Sequence, residues 1–204
     1  VAGADPAATP DAPDPDAVVR GARLAVDVGS VRVGLAASDP DGLVATPVAT
    51  LPRDTRPAAP GALPSDIASV VAEVAERFAA TVYVGLPKHL SGSEGAAAAA
   101  ARAYAGALAQ AVAPVPVRMV DERMSTVTAH HALHASGRSG RRHRAVVDQA
   151  AAVVILQTAL DAERSSGRRP GERVPPTRPE PPADGRQGGK QGAGQAGHTE
   201  GTTE

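Results

Sequence analysis

The chain has 204 residues, of which 42% are hydrophobic but only 1% aromatic, and a formal net charge of −1. Any core must therefore be built from Val, Ala, Leu and Ile, while the bulk charge points to no partner. The lack of cysteine excludes disulfides, thiolate metal sites and a cysteine nucleophile, and no run approaches the roughly 20 apolar residues of a membrane span; with an acidic rather than cationic start, a cytoplasmic protein with no membrane partner is expected.

Residues 1–20 are Ala, Pro and Asp without periodicity and read as a disordered leader. Arg23 to Val28 reads as a buried strand. Val31 to Ser38 and Leu43 to Thr50 read as two more, joined by Asp39-Pro40-Asp41-Gly42, in which Asp-Gly is a hairpin signal. After a Pro/Arg loop over 52–64, Ser65 is expected to cap a helix. Its apolar face is Ile67, Val70, Val71, Val74 and Phe78.

Thr81 to Leu86 is a short strand. Ser91 and Glu94 form the capping-box spacing at the start of an Ala-rich helix running to about residue 111. Val115 to Val120 is the next strand, Ser125 opens a helix to about His134, and Ala145 to Glu163 is a largely apolar last helix. From Ser165 the chain is rich in Gly, Pro, Gln and Arg, and 165–204 reads as a disordered tail. The domain is thus 21–164. Short turns imply an antiparallel start, and helical crossovers imply parallel additions. The expected fold is α/β: a five-stranded mixed sheet with helices on both faces.

Three carboxylates fall inside apolar runs. Asp27 interrupts Leu24-Ala25-Val26-Asp27-Val28, Glu122 follows the strand at Val120-Asp121, and Asp148 lies within Val146-Val147-Asp148-Gln149-Ala150. Burying one unpaired carboxylate costs several kcal/mol, so three suggest a shared cluster, the ligand set of hard divalent metals. For any one of them, an ordinary cap or ion pair is the simpler account. Asp121 and Glu122 point to opposite sides of a strand, so only one faces the others; Glu122 is favoured, with Asp121 held as a structural partner of Arg123.

Four blocks carry a family resemblance. Asp27-Val28-Gly29-Ser30-Val31-Arg32-Val33-Gly34-Leu35-Ala36 looks like a D-x-G-x-x-R-x-G-x-A opening. Gly85-Leu86-Pro87-Lys88-His89-Leu90-Ser91-Gly92 is similar to a G-L-P…G segment, and Asp121-Glu122-Arg123-Met124-Ser125-Thr126 to D-E-R-x-[ST]-T. Val147 to Ala152 is a weaker fourth match. In this order and spacing they resemble the YqgF/RuvX family, Holliday-junction-resolvase-like proteins also described as pre-16S rRNA nucleases. The resemblance implies an RNase H-like fold, with Asp27, Glu122 and Asp148 as catalytic and metal-binding residues. It also implies Mg²⁺ or Mn²⁺, in a pair, and hydrolysis of phosphodiester bonds in structured RNA or branched DNA.

Arg138, Arg141, Arg142 and Arg144 lie in a Gly/Ser-rich segment leading to the helix of Asp148. With Arg32 and Arg123 they are the expected nucleic-acid contacts, because cationic loops beside an acidic site offset repulsion of phosphate. The bland alternative is a solvated Arg run. His130 and His134 have zinc-pair spacing, but no Cys and no H-E-x-x-H pattern supports zinc. Gly85 to Lys88 lacks the spacing of a phosphate-binding P-loop. Two other classes compete: one lobe of an actin-like ATPase, suggested by Asp27-x-Gly29-Ser30, and a non-catalytic RNA-binding ribosome-maturation factor. A monomer or a homodimer is expected, since resolving a symmetric junction would need two copies.

Overall fold

The computed structural model describes residues 14–56, 59, 61–89, 91–122 and 141–176, with the backbone alone for 141–149. The described residues include six strands: β1 (Arg23–Val28), β2 (Arg32–Ser38), β3 (Ala45–Pro52), β4 (Thr81–Leu86), β5 (Val117–Asp121) and β6 (Glu172–Val174). They form one sheet in the order β3-β2-β1-β4-β5-β6. The first three strands are antiparallel, β4 and β5 run parallel to β1, and β6 is antiparallel to β5. The expected mixed sheet is therefore present, with one more strand than the sequence reading counted.

The β2–β3 turn forms where Asp-Gly placed it. The Asp39 carboxylate accepts the amide hydrogens of Asp41, Leu43 and Val44, and Gly42 takes the left-handed conformation with φ 69°. Helices α1 (Ser65–Glu76) and α2 (Ala96–Ala111) cover one face of the sheet, and α3 (Arg141–Ser166) covers the other. Strand alternation sorts the side chains. Leu24, Val26, Val82, Val84, Val117 and Met119 pack toward α1 and α2, whereas Ala25, Ala36, Tyr83 and Val120 pack toward α3.

The helix caps differ from expectation. Ser65 does not cap its own helix: its amide and hydroxyl both donate to Asp54, a carboxylate borrowed from the preceding loop. No capping box forms at α2, because Glu94 is taken by Arg102 and Lys88. Phe78 leaves the predicted apolar stripe. It lies just beyond α1 at φ 50° and is 87% exposed, while Ile67, Val70 and Val74 are buried.

Both presumed tails contribute to the described fold. Part of the leader is docked: Asp16 bonds Arg118 at 2.7 Å, and Ala17 makes a bridge to Arg168. β6 lies inside the segment read as a tail, where Arg118 donates to the carbonyls of Pro170 and Gly171. Low hydrophobicity argued for disorder there, but one buried guanidinium satisfies both strands of chain. Helix α3 also starts four residues earlier than predicted, so Arg141, Arg142 and Arg144 belong to its first turns rather than to a loop. Arg is a good helix former, so these positions suit a helix as well as a loop. The predicted helix from Ser125 to His134, with His130 and His134, lies outside the described residues.

Candidate active site

Asp27, Gly85 and Glu122 lie at the carboxyl ends of β1, β4 and β5, which are neighbours in the sheet. Alternation puts all three on the α3 side: Asp27 follows Ala25, Gly85 follows Tyr83, and Glu122 follows Val120. The carboxyl end of parallel strands is where α/β sheets place ligands. Gly85 occupies the middle strand, between the two acids. A Cβ built there would lie 2.5 Å from Glu122 Oε1 and 2.7 Å from Ile155 Cδ1. The Glu122 carboxylate thus lies across the gap that glycine leaves, which is why a strand interior tolerates the residue here.

The electrostatics are those of a strained acidic pair. Glu122 is pushed up to about 7, first by burial and then by the charges of Asp27 and Asp121. Asp121 turns to the other side, as alternation requires, and meets Lys88 Nζ at 3.6 Å. Lys88 also approaches Glu94 at 3.8 Å. Asp121 is thus partnered by Lys88, from the G-L-P-K segment; Arg123, the partner expected for it, lies outside the described residues.

The third acid is positioned by backbone alone. Glu163, near the end of α3, pairs with Arg23, the first residue of β1, and Ile155 abuts Gly85. Helix α3 therefore runs opposite to β1, with its N-terminal half over the Asp27 end. Position 148 continues the helix stripe of the buried Ala151, Ala152 and Ile155 at i+3, i+4 and i+7. The side chain of Asp148 lies outside the described residues, as do those of Arg141, Arg142 and Arg144, and Arg138 entirely. Arg32 opens β2 at this end of the sheet, where Val28 pairs with Val33, and alternation puts it on the α3 side with Asp27.

Chemically, two close carboxylates, one of them half neutralised at neutral pH, form oxygen donors suited to a hard divalent cation, which would relieve their repulsion. Among the described residues no three His, Cys, Asp or Glu side chains form a cage. The sequence reading missed Gly85 as the residue that makes room for the acid. The signal available was an isolated glycine inside an otherwise apolar strand.

Residues 21–162 match the family model RuvX, described as Holliday junction resolvase. A Streptomyces coelicolor protein named "Putative pre-16S rRNA nuclease" is 54% identical over 155 residues, covering 76% of this chain and 89% of the relative. A Kineococcus radiotolerans protein of the same name is 55% identical over 154 residues, covering 76% of this chain and 78% of the relative. Among solved structures, Thermus thermophilus RuvC in complex with a Holliday junction substrate gives a TM-score of 0.45 at 17% identity, covering 74% of this chain and 99% of that one. The match starts just before β1, takes in Asp27, Gly85 and Glu122, and ends in the last turns of α3: the chain belongs to the RuvX family.

Proposed function

We propose that this protein is a divalent-metal-dependent nuclease that hydrolyses phosphodiester bonds in structured RNA, processing the 5′ end of pre-16S rRNA. The observation that carries the reading is Glu122, half-buried over Gly85 and within reach of the Asp27 charge, with its carboxyl pushed up to about 7. An acid kept in so unfavourable a place is a functional-site signature. Asp27, Glu122 and Asp148 would hold Mg²⁺ or Mn²⁺, a pair of ions in this reading. Bound there, such ions supply an activated water and stabilisation of the leaving oxygen.

The chain's own part is placement. Asp27 stands on a central strand paired on both sides and so is rigidly held. Glu122 needs a cation to be a full carboxylate at neutral pH. Arg141, Arg142 and Arg144 occupy the first turns of α3, a helix with no acidic residue in its first turn. Helix-end amides and arginines together favour the phosphate backbone, with Arg32, Arg123 and Arg138 as further contacts. Both tyrosines are buried, and Phe78 lies at the far end of the sheet, next to Ala79 and Ala80 at the β1 start. Without an aromatic platform beside the acids, recognition by shape and backbone fits better than base stacking.

The test is trimming of a pre-16S rRNA carrying its 5′ leader, with Mg²⁺ or Mn²⁺. Asp27→Asn should lower the rate roughly a thousandfold or more, about 4 kcal/mol of barrier. Unchanged cleavage by that variant would reject the assignment. Neutralising Arg141, Arg142 and Arg144 together should weaken binding and flatten its salt dependence. The family description supports a second reading, resolution of branched DNA. Preferential cutting of a four-way DNA junction over precursor RNA would favour it. Metal binding with no cleavage of either substrate would favour a non-catalytic maturation factor, and ATP-dependent thermal stabilisation would favour a nucleotide-binding lobe.

A further inference from the structure

At the end of the sheet away from Asp27 lies a second set of buried charges, which the proposed chemistry does not use. Glu163 of α3, 4% exposed, accepts from Arg23 Nε at 3.0 Å and lies 2.8 Å from its terminal nitrogen. Its other oxygen accepts from the Tyr83 hydroxyl. Tyr83 is fully buried, and burial, then the Glu163 charge, hold its phenol far above the ordinary range, so it stays a donor. Arg23 is fixed in turn by the carbonyl of Gly21, and its own amide donates to Ser38. Arg169 lies close enough for its charge to be felt by Glu163 and Tyr83.

The rest of the α3 interface is apolar, and much of it small. Ala25, Ala36 and Ala45 on the sheet meet Ala152, Ile155, Leu156, Ala159 and Leu160 on the helix. Alanine against alanine specifies position along the helix axis only weakly. Gln157 and Arg164 add hydrogen bonds to Ala45 and Leu43, at the rim. Glu163 is the one buried charge on α3 among the described residues, and its partners come from β1 and β4, the strands that carry Asp27 and Gly85. Buried ionic groups serve best as devices that select one register rather than as net stabilisers.

We propose that Glu163 is a positioning residue: gripped by Arg23 and Tyr83, it fixes where α3 sits along the sheet and hence the height of position 148 relative to Asp27 and Glu122. A slip of one residue moves a helix by ~1.5 Å, a large fraction of a metal–oxygen bond of ~2.1 Å. The link to metal binding rests on the nuclease reading; the register itself does not.

The absence of cysteine makes a direct measurement simple. Spin labels on Val31→Cys and Ala150→Cys, both exposed positions, report the distance between the Asp27 end of the sheet and the first half of α3. The decisive variant replaces the whole grip and the neighbouring cation by apolar groups: Arg23→Leu, Tyr83→Phe, Glu163→Leu and Arg169→Leu together, which leaves none of these charges stranded and so should fold. Its label distances should broaden or shift, and Mn²⁺ affinity by calorimetry should fall on the order of three- to tenfold. Glu163→Gln, whose amide oxygen can accept from Arg23 while its NH₂ donates to the Tyr83 oxygen, should keep the wild-type distances and Mn²⁺ affinity within about twofold. Unchanged distances in the apolar variant, or equal shifts in a Val70→Ala control on the opposite face, would overturn the proposal. If the wild type binds no Mn²⁺, the nuclease reading fails while the label distances still decide the register.

Discussion

The two ends of the sheet solve the same problem in opposite ways. Both gather charge, buried at one end and half-buried at the other. At the β1 start, buried charges are set against opposite ones: Arg23 with Glu163, and Arg118 with Asp16, while Arg169 lies beside them with its Nε buried and without a hydrogen-bond partner. At the β1 end, Asp27, Asp121 and Glu122 bring like charges together, and Glu122 titrates near neutrality as a result. Opposite charges buried in pairs are the mark of a structural device, whereas like charges gathered in one place mark a candidate site for a cation. The contrast separates scaffold from chemistry without reference to any relative.

The sharpest way to break the paired end is Arg23→Leu alone. It leaves Glu163 buried with only Tyr83 as a direct partner, and should cost about 3–5 kcal/mol in urea unfolding. A loss below ~1 kcal/mol would show that the grip carries little.

At the acidic end the sign reverses. The folded pKa of Glu122, about 7, lies above its ordinary value of 4.5, so between those values the native state holds more protons than the unfolded chain. Stability of the metal-free protein should therefore fall as pH rises from 4.5 through 7, by up to about 3 kcal/mol, with the whole penalty present above pH 7. Glu122→Gln should flatten that slope in urea titrations with a chelator, and an undiminished slope would transfer the effect to another group. Added Mn²⁺ should stabilise the wild type more at pH 8 than at pH 6.

Smaller still is Gly85→Ala. The new methyl meets Glu122 Oε1 and Ile155 Cδ1 inside van der Waals contact. About 1–3 kcal/mol of overpacking strain is expected, with weaker Mn²⁺ binding because Glu122 is displaced. A variant as stable and as tight-binding as wild type would mean that the carboxylate has room elsewhere. The least effect belongs to Lys88→Ala. Its contacts to Asp121 and Glu94 are long and partly exposed, so a change below about 1 kcal/mol should appear in thermal melts.

Much of this was legible along the chain. Apolar periodicity gave the strand and helix order, and Asp-Gly gave the first hairpin. Three acids in apolar runs gave the place to look. The misreadings have one cause, which is that local composition does not see partners far away. Residues 172–174 looked like tail until Arg118 and Arg102 were seen to hold them. Phe78 fitted the α1 stripe by spacing, but the helix ended before it could pack. Ser65 and Ser91 had capping sequences, yet Asp54 and Arg102 took the groups concerned.

The sequence by itself determined which residues can be inside and which face of each strand they share, because side-chain direction repeats every two residues in a strand and every 3.6 in a helix. That was enough to say that Asp121 and Glu122 cannot both face the same side. Only the tertiary structure decided which strands are neighbours, and so that Gly85 stands between the acids and that Glu163 meets Arg23 across 140 residues of chain. Pairing between distant segments depends on the sheet order and on where α3 lies across it, and neither is written in any local window.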